Sequence, residues 1–318
     1  MEKRALGRTD LSIAPLVLGG NVFGWTIDEK QSFAVLDAFV DHGFNAIDTA
    51  DVYSAWAPGN KGGESETIIG NWLKARPSVR DKVAIFTKVG SVNGGPHEGG
   101  LTEGYMLSAV ARSLERLGVE TIDLYFAHWP DPAGTSYAET LGAFDKLIKA
   151  GKVKAIGVSN VNAQRLADAL DVSKGKGLPP YQVLQPEYNL YDRGSFDGPL
   201  RDLCIREGIG VITYYSLASG FLTGKYRSRA DLGKSKRGEG VAKYLNPRGT
   251  AILKALADAA ARHSTKPAEV ALAWLIARES VTAPIASATS VAHVESFAAA
   301  AGLQLTGEDI AALDAASA

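Results

Sequence analysis

The stretch Val153-Lys154-Ala155-Ile156-Gly157-Val158 is a short β-branched and apolar run, and a segment with helical spacing follows it from Ala163. Seven further runs of this kind recur along the chain, each followed by a longer helical pattern. They are residues 16–19, 44–47, 83–86, 122–126, 181–184, 209–212 and 281–285. Eight alternations of strand and helix predict an α/β fold, a closed (β/α)8 TIM barrel.

The helical segments open with signals typical of helix starts, since several begin at an acidic or hydroxyl residue that can cap free backbone N–H groups. They begin near Asp28, Ser65, Thr102, Tyr137, Ala163, Asp197, Thr250 and Val291. No low-complexity linker or break in composition divides the chain, so residues 1–318 are predicted to form a single barrel domain.

Two features near the N-terminus refine this prediction. The turn Leu18-Gly19-Gly20-Asn21-Val22-Phe23-Gly24 lacks the G-x-G-x-x-G spacing that seats a pyrophosphate, which disfavours the rival doubly wound dinucleotide fold. Ahead of the first strand, Gly7-Arg8-Thr9-Asp10 stands between short flanks within residues 4–13. This segment predicts a short β-hairpin that plugs one end of the barrel.

The composition excludes several classes of protein. The 318 residues are 46% hydrophobic and 22% charged, which is typical of a soluble globular protein. A net charge of -1 disfavours nucleic acid and anionic membranes as partners. Cys204 is the single cysteine, so intramolecular disulfides and Cys-based metal sites are excluded and a reducing compartment is expected. Because neither a signal peptide nor an apolar run of about 18 residues is found, we predict a cytoplasmic protein.

Six successive predicted strands end in polar or aromatic residues whose side chains can take part in catalysis or binding. These residues are Asp48, Lys88, His128, Ser159 with Asn160, Gln185 and Tyr214. The C-terminal ends of barrel strands converge on one face, where active sites are built. Two polar, Gly-rich stretches, 91–100 and 226–249, also follow strands and are interpreted either as substrate or cofactor lids or as mobile surface loops.

Tyr53 follows Asp48 by one short turn, close enough to point into the same barrel mouth. A lysine beside an aspartate stays protonated, and its cation lowers the pKa of a neighbouring hydroxyl. Bringing a phenol from a pKa of about 10 to about 7 needs roughly 4 kcal/mol, within reach of a buried cation and a histidine hydrogen bond. We therefore expect Tyr53 to act as a proton donor near neutral pH, tuned by Lys88.

Other chemistries are less compatible with the same residues. Formation of a Schiff base on Lys88, as in class I aldolases, requires a lysine whose pKa is lowered. An adjacent Asp48 carboxylate acts in the opposite direction, because it raises the pKa of the lysine. Of the five histidines only His128 clearly follows a strand, so no catalytic metal site is predicted. Gly-x-Ser-x-Gly does not occur, and Cys204 is interpreted as a buried structural thiol. The aldolase remains as an alternative.

The chain resembles the aldo-keto reductases along nearly all of its length. The matching segments are Gly43-Phe44-Asn45-Ala46-Ile47-Asp48-Thr49-Ala50 with Tyr53, Thr87-Lys88, Asp123-Leu124-Tyr125 with His128-Trp129-Pro130-Asp131-Pro132, Gly151-Lys152-Val153 with Ile156-Gly157-Val158-Ser159-Asn160, and Gln185-Pro186-Glu187-Tyr188-Asn189. The resemblance implies an eight-stranded barrel that binds a nicotinamide cofactor across its C-terminal face. It also implies a catalytic tetrad of Asp48, Tyr53, Lys88 and His128.

The resemblance further implies hydride transfer to a carbonyl carbon, with Tyr53 protonating the oxygen and His128 orienting it. Most of the remaining roles that it implies concern the cofactor. Ser159, Asn160 and Gln185 would hold the carboxamide, Tyr214 would stack on the ring, Ser216, Leu217, Gly220 and Lys225 would form the pyrophosphate loop, and Gly20 and Asn21 would also contact the cofactor. Ser216 replaces the family's usual proline in that loop.

At the adenosine end the family's usual motif is missing, and Ser287, Thr289 and His293 are the candidate contacts. A 2′-phosphate needs positive charge or several donors, which Lys225, Arg227 and Arg229 could supply. We expect NADP(H) on the family's habit, with NAD(H) as the alternative.

Substrate-binding residues are predicted from the aromatic side chains that follow barrel strands. Trp25, Trp56 and Trp129 are predicted to line a pocket for an apolar or sugar-like carbonyl or alcohol. A second class of function, a nicotinamide-binding, redox-sensing regulatory subunit, stays open because some members of the family act in that way. The resemblance favours a monomer.

Overall fold

The computed structural model describes residues 1–91 and 100–318. Its central feature is a barrel of eight parallel strands that pair in sequence order and close between the last and the first. The barrel strands are β3 Val17–Gly19, β4 Ala46–Asp48, β5 Ala84–Val89, β6 Ile122–Ala127, β7 Val153–Ser159, β8 Val183–Gln185, β9 Gly210–Thr213 and β10 Ala283–Ala286. The predicted (β/α)8 TIM barrel is therefore confirmed.

A two-stranded hairpin precedes the barrel, formed by β1 Arg4–Ala5 and β2 Ser12–Ile13. Leu6 and Ile13 belong to the apolar cluster that fills the barrel interior, so the hairpin covers the end at which the strands begin. The turn residue Gly7 has φ +58°, and a Cβ there would lie 2.4 Å from the backbone nitrogen of Gly210. The predicted hairpin plug is thus present, and the close approach of two backbones holds it.

Helices surround the barrel. They are α1 Glu29–Asp41, α2 Glu64–Ala75, α3 Glu103–Leu117, α4 Tyr137–Lys149, α5 Ala163–Lys176, α6 Pro199–Glu207, α7 Pro247–Arg262, α8 Pro267–Ile276, α9 Val291–Gly302 and α10 Gly307–Ser317. Side-chain caps at several of them explain why their starts could be predicted: Asp28 accepts from the N–H of Gln31, Ser136 from that of Glu139 and Asn162 from that of Arg165.

The sequence patterns did not predict α8 and α10. Helix α8 is apolar on nearly every side because it is packed among α7, α9 and β10, so it shows no alternation of polar and apolar faces. The segment predicted to begin near Thr250 is α7, which packs against α8 and α10. None of the helices in the described part of the chain combines the length and the apolar character needed to cross a membrane.

The apolar core has two layers. One fills the barrel interior and includes Phe86 and Phe126, and the other lies between strands and helices. The long segment between β9 and α7 contains 3-10 turns at Ala218–Thr223, Arg229–Lys234 and Gly238–Tyr244. Of the two stretches predicted as lids or surface loops, residues 226–249 contain the second and third of these turns. Residues 92–99 of the other stretch lie outside the described residues.

Candidate active site

A cavity of about 760 Å³ opens at the C-terminal face of the barrel. Most of the predicted site residues line it: Asn21, Asp48, Tyr53, Trp56, His128, Trp129, Ser159, Asn160, Gln185, Tyr214, Ser216, Leu217, Gly220, Lys225, Ser287, Thr289 and His293. Strand geometry brings these residues together, because residues that end successive barrel strands become neighbours on one face.

Five of the predicted residues do not line this cavity: Gly20, Trp25, Lys88, Arg227 and Arg229. Gly20 packs beneath the cavity floor, where its carbonyl accepts a hydrogen bond from Ser65 Oγ at 2.8 Å. The ring of Trp25 is contacted by Trp56 and Arg237, which do line the cavity. Arg227 is exposed, and its Nε donates only a long hydrogen bond, 3.4 Å, to the carbonyl of Gly224. Lys88 is fully buried and reaches the cavity through Tyr53.

Lys88 is the centre of a buried polar cluster at the ends of β4 and β5. Its Nζ donates to Asp48 Oδ2 at 2.6 Å, to the carbonyl of Thr49 at 2.7 Å and to the hydroxyl of Tyr53 at 2.9 Å. The side chain of Lys88 is 0% exposed and that of Asp48 is 2% exposed. All three ammonium hydrogens therefore have acceptors, and water is excluded from the ion pair.

The structure contradicts the expectation that Lys88 lowers the pKa of Tyr53 towards 7. Burial, and next the Asp48 carboxylate, raise the pKa of Tyr53 well above its usual 10. Burial also lowers the pKa of Lys88 from its usual 10.5, although Asp48 opposes that shift. Because Asp48 compensates the ammonium charge and also acts directly on the phenol, Tyr53 keeps its proton at neutral pH.

His128 stands beside this cluster, with its ring centroid 6.1 Å from that of Tyr53. Burial, and next the charge of Lys88, lower the pKa of His128 well below 6.5, so the imidazole is neutral at pH 7. Its Nδ1 is buried, and no residue within 1–91 or 100–318 accepts or donates a hydrogen bond there. Gln185 completes the group because its Nε2 donates to Asp48 Oδ1 at 2.9 Å.

The predicted carboxamide contacts form a connected network. Asn160 has a positive φ of 59°, and its Nδ2 donates to the carbonyl of His128 at 2.8 Å and to Ser159 Oγ at 3.1 Å. The hydroxyl of Tyr214 donates to Asn160 Oδ1 at 2.7 Å. A strained backbone held by side-chain bonds is typical of functional sites. Both ends of the Asn160 amide are used, so a ligand amide would have to share or replace these bonds.

The predicted pyrophosphate loop has an unusual backbone. Ala218, Ser219 and Gly220 have successive positive φ values of 48°, 57° and 95°. The backbone N–H groups of Ala218 and Gly220 donate within the loop, to the carbonyls of Tyr215 and Leu217 at 2.7 and 2.8 Å. Ser216, which stands where the family has proline, is buried and donates to the carbonyl of Thr213 at 3.1 Å. The hydroxyl therefore has a partner within the loop.

At the predicted adenosine end, Ser287 Oγ donates to Asn21 Oδ1 at 2.5 Å, and the backbone N–H of Thr289 donates to His293 Nδ1 at 3.2 Å. Burial, and then the charges of Lys225 and Lys266, lower the pKa of His293. Two ammonium groups thus act on this end of the cavity. Lys266 was not among the predicted residues, because a lysine just ahead of a helix carries no distinguishing pattern; it does not line the cavity, and its Nζ lies 3.4 Å from Glu269 Oε1.

Aromatic rings form one wall of the cavity. The ring of Trp56 lies 5.9 Å from that of Tyr53 and 5.5 Å from that of Trp25. Trp129 packs beside His128 at 6.3 Å. Arg237, which the sequence analysis also missed, covers Trp25: its guanidinium carbon lies 5.4 Å from the Trp25 ring, and Arg237 itself lines the cavity.

Other candidate chemistries find less support in this geometry. Within residues 1–91 and 100–318 no three His, Cys, Asp or Glu side chains come together in a group that could hold a metal ion. Cys204 is buried in α6, and burial raises the pKa of its thiol to about 12, so it is a poor nucleophile.

A sequence model described as the Aldo/keto reductase family matches residues 15–318. An uncharacterized oxidoreductase of Bacillus subtilis, YrpG, is 33% identical over 97% of this chain and 93% of its own length. The aldo-keto reductase NECHADRAFT_45914 of Fusarium vanettenii is 30% identical over 97% of this chain and 89% of its own. A probable voltage-gated potassium channel subunit beta of Arabidopsis thaliana is 30% identical over 93% of this chain and 89% of its own.

Proposed function

The chain belongs to the aldo/keto reductase family, and from that premise we propose that it is a nicotinamide-dependent oxidoreductase that interconverts a small aldehyde or ketone and the corresponding alcohol. The observation that carries the proposal is the buried Lys88 ammonium, bound at once to Asp48 and to the hydroxyl of Tyr53 at the cavity wall. The substrate is a small molecule, and the whole of residues 1–318 acts as one catalytic domain.

In the reductive direction Tyr53 holds the reacting proton on its hydroxyl oxygen. Its raised pKa keeps the proton in place until negative charge develops on the carbonyl oxygen of the substrate. Once the proton has left, the Lys88 ammonium at 2.9 Å stabilises the phenolate. Asp48 and the carbonyl of Thr49 hold Lys88 in place, and Asp48 also raises the pKa of Tyr53.

His128 orients the substrate oxygen as a neutral hydrogen-bond donor. The lowered pKa of its imidazole means that it offers one N–H without competing with Tyr53 as an acid. Two donors fixed in a water-poor pocket stabilise charge on the carbonyl oxygen better than water does, because they need no reorganisation. A bound reduced nicotinamide supplies the hydride.

The residues of the cavity fit a dinucleotide. Uncharged amide and hydroxyl donors of Ser159, Asn160 and Gln185 suit a carboxamide, and the exposed ammonium of Lys225, near the left-handed turn at 218–220, suits a pyrophosphate. NADP(H) is the proposed form, because Lys225 and Lys266 both act on the end that holds His293.

A second candidate is a regulatory subunit that binds a nicotinamide nucleotide and senses its redox state. The name of the Arabidopsis relative favours it. An intact tetrad around an open cavity favours catalysis instead. A Schiff-base aldolase is disfavoured because Lys88 is fully buried and its three hydrogens are bound, which leaves no room for attack on a carbonyl. Trapping of Lys88 by borohydride with a carbonyl substrate would reinstate the aldolase.

The test is turnover of a reactive aromatic aldehyde with NADPH or NADH, followed by loss of the absorbance of the reduced nicotinamide. We expect Tyr53→Phe to abolish turnover while cofactor binding is retained. Tyr215→Phe is the matched control, since Tyr215 lines the same cavity but has no bond to Lys88. The faster cofactor decides between NADP(H) and NAD(H). Cofactor binding without turnover of a range of carbonyls would favour the regulatory subunit, and absence of cofactor binding would contradict the proposal.

A further inference from the structure

Arg237 is a cation in the catalytic cavity, and within the described ranges 1–91 and 100–318 it has no anionic partner. Its Nη2 is buried, and no nitrogen of its guanidinium makes a hydrogen bond or ion pair to residues 1–91 or 100–318. Burial, the largest influence on this group, lowers the pKa of Arg237 from its usual range, and only tyrosines oppose the shift. A guanidinium stays charged and carries five N–H donors, so burying it unpaired is costly.

The loop fixes this side chain instead of letting it turn outward. Gly238 follows it, and a Cβ at Gly238 would lie 1.6 Å from the carbonyl oxygen of Leu232, so only glycine permits this path. The hydroxyls of Ser235 and Tyr226 share a hydrogen bond of 2.6 Å. The guanidinium carbon lies over the Trp25 ring, 5.4 Å from its centroid, and the guanidinium N–H groups make no hydrogen bond within residues 1–91 and 100–318.

The guanidinium lies on the side of the cavity where the proposed proton transfer takes place. Its charge acts on Tyr53, Tyr215 and Tyr226. The Trp25 ring beneath it contacts Trp56, and Trp56 contacts Tyr53. The other end of the cavity has its own cation, because the charge of Lys225 acts on His293. Arg237 therefore belongs to the substrate side of the cavity.

We propose that Arg237 binds an anionic group of the substrate, a carboxylate or a phosphate carried by the same molecule as the reacting carbonyl. A guanidinium binds either group with two parallel hydrogen bonds, which fixes orientation as well as charge. The aromatic wall of Trp56 and Trp129 then contacts the body of the substrate. This inference rests on the proposed reductase function, and it narrows the substrate class from carbonyl compounds in general to anionic ones.

The test compares three aldehydes that share one ring: 4-carboxybenzaldehyde, 4-formylphenyl phosphate and the neutral methyl 4-formylbenzoate. The variant is Arg237→Met, which keeps an unbranched side chain over Trp25. The matched control is Arg206→Met, because Arg206 is an exposed arginine of α6 and does not line the cavity. For each aldehyde, kcat/KM of the variant is divided by kcat/KM of the unmodified protein. This ratio cancels the differences in intrinsic reactivity among the three aldehydes.

We expect Arg237→Met to lower kcat/KM by about 10- to 100-fold for at least one of the two anionic aldehydes, as befits loss of a charge-assisted pair. The kcat/KM for the neutral ester should change by less than about threefold, and Arg206→Met should leave kcat/KM for all three aldehydes unchanged. The anionic aldehyde that loses more identifies the group as carboxylate or phosphate. Binding without turnover is measured by the quenching of tryptophan fluorescence on addition of terephthalate or phenyl phosphate. At least one of these two compounds should bind more weakly to Arg237→Met.

Two results would overturn the inference. An equal loss of kcat/KM for charged and neutral aldehydes would show that Arg237 does not bind the charged group of the substrate. Weaker binding of NADPH in Arg237→Met, with the preference among aldehydes unchanged, would assign the guanidinium to a cofactor phosphate. Failure of the proposed function looks different, since the unmodified protein would then reduce none of the three aldehydes with either cofactor.

Discussion

We expect the unfolding free energy of Asp51→Asn, measured relative to that of the unmodified chain, to be higher at alkaline pH than at acidic pH. Asp51 is 4% exposed, and its Oδ1 has no hydrogen-bond partner within the described ranges 1–91 and 100–318. Burial, and next the neighbouring Glu66, raise the pKa of this carboxyl from 3.8 to about 7, while Arg116 and Arg112 oppose them. The backbone N–H of Asp51 donates to the carbonyl of Lys88 at 3.3 Å, and the charge of Asp51 is one of those that act on Lys88.

The sign and size follow from linkage. Because the folded state binds the proton more tightly than the unfolded state, the stabilisation from the protonated carboxyl is fully present below pH 3.8 and is lost as the pH rises through 7. The full shift corresponds to about 4 kcal/mol, and the part lost between pH 5 and pH 8 is about 3 kcal/mol. Asparagine has the same shape without the charge, so it does not suffer this loss.

The assay is urea unfolding followed by tryptophan fluorescence at a series of pH values from 5 to 8. The difference in unfolding free energy between Asp51→Asn and the unmodified protein should shift by about 3 kcal/mol in favour of the variant over that range. Asp81→Asn, at an exposed position, is the matched control and should show a far smaller shift. A difference that stays constant with pH would refute the reasoning, because it would mean that Asp51 ionises alike in the folded and unfolded chain.

Three further results are expected. The raised pKa of Tyr53 predicts that carbonyl reduction does not decline between pH 7 and pH 9; a decline centred near 7 that persists in the Asp51→Asn background would contradict it. Lys88→Met should abolish turnover and cost about 3–5 kcal/mol in urea unfolding by leaving the Asp48 carboxylate buried and unpaired. Adding Asp48→Asn should restore part of that stability but no activity, and a double variant no more stable than the single one would refute the assignment. Lys266→Met should raise the KM for NADPH on the order of fivefold and leave that for NADH unchanged, and equal effects on both cofactors would exclude a role in binding the 2′-phosphate.

The barrel and the place of the tetrad followed from local features of the sequence. A buried parallel strand needs a short apolar run, and each of the eight runs stands where the structure has a barrel strand. Once strands are assigned, the residues that follow them share one face whatever the loops do, so Asp48, Lys88 and His128 could be grouped without coordinates. Helix α8 escaped detection because a helix buried on all sides has no polar face to mark its period.

The charge states and the cation on the substrate side were decided by tertiary structure alone. Whether Tyr53 gains or loses proton affinity depends on the balance between burial, Asp48 and Lys88, and that balance is set by distances across three strands and loops. Arg237 and Asp51 sit in loops without periodicity, where a charged residue is ordinarily solvated. Only the folded chain withdraws them from water, because burial arises from contacts between segments far apart in sequence.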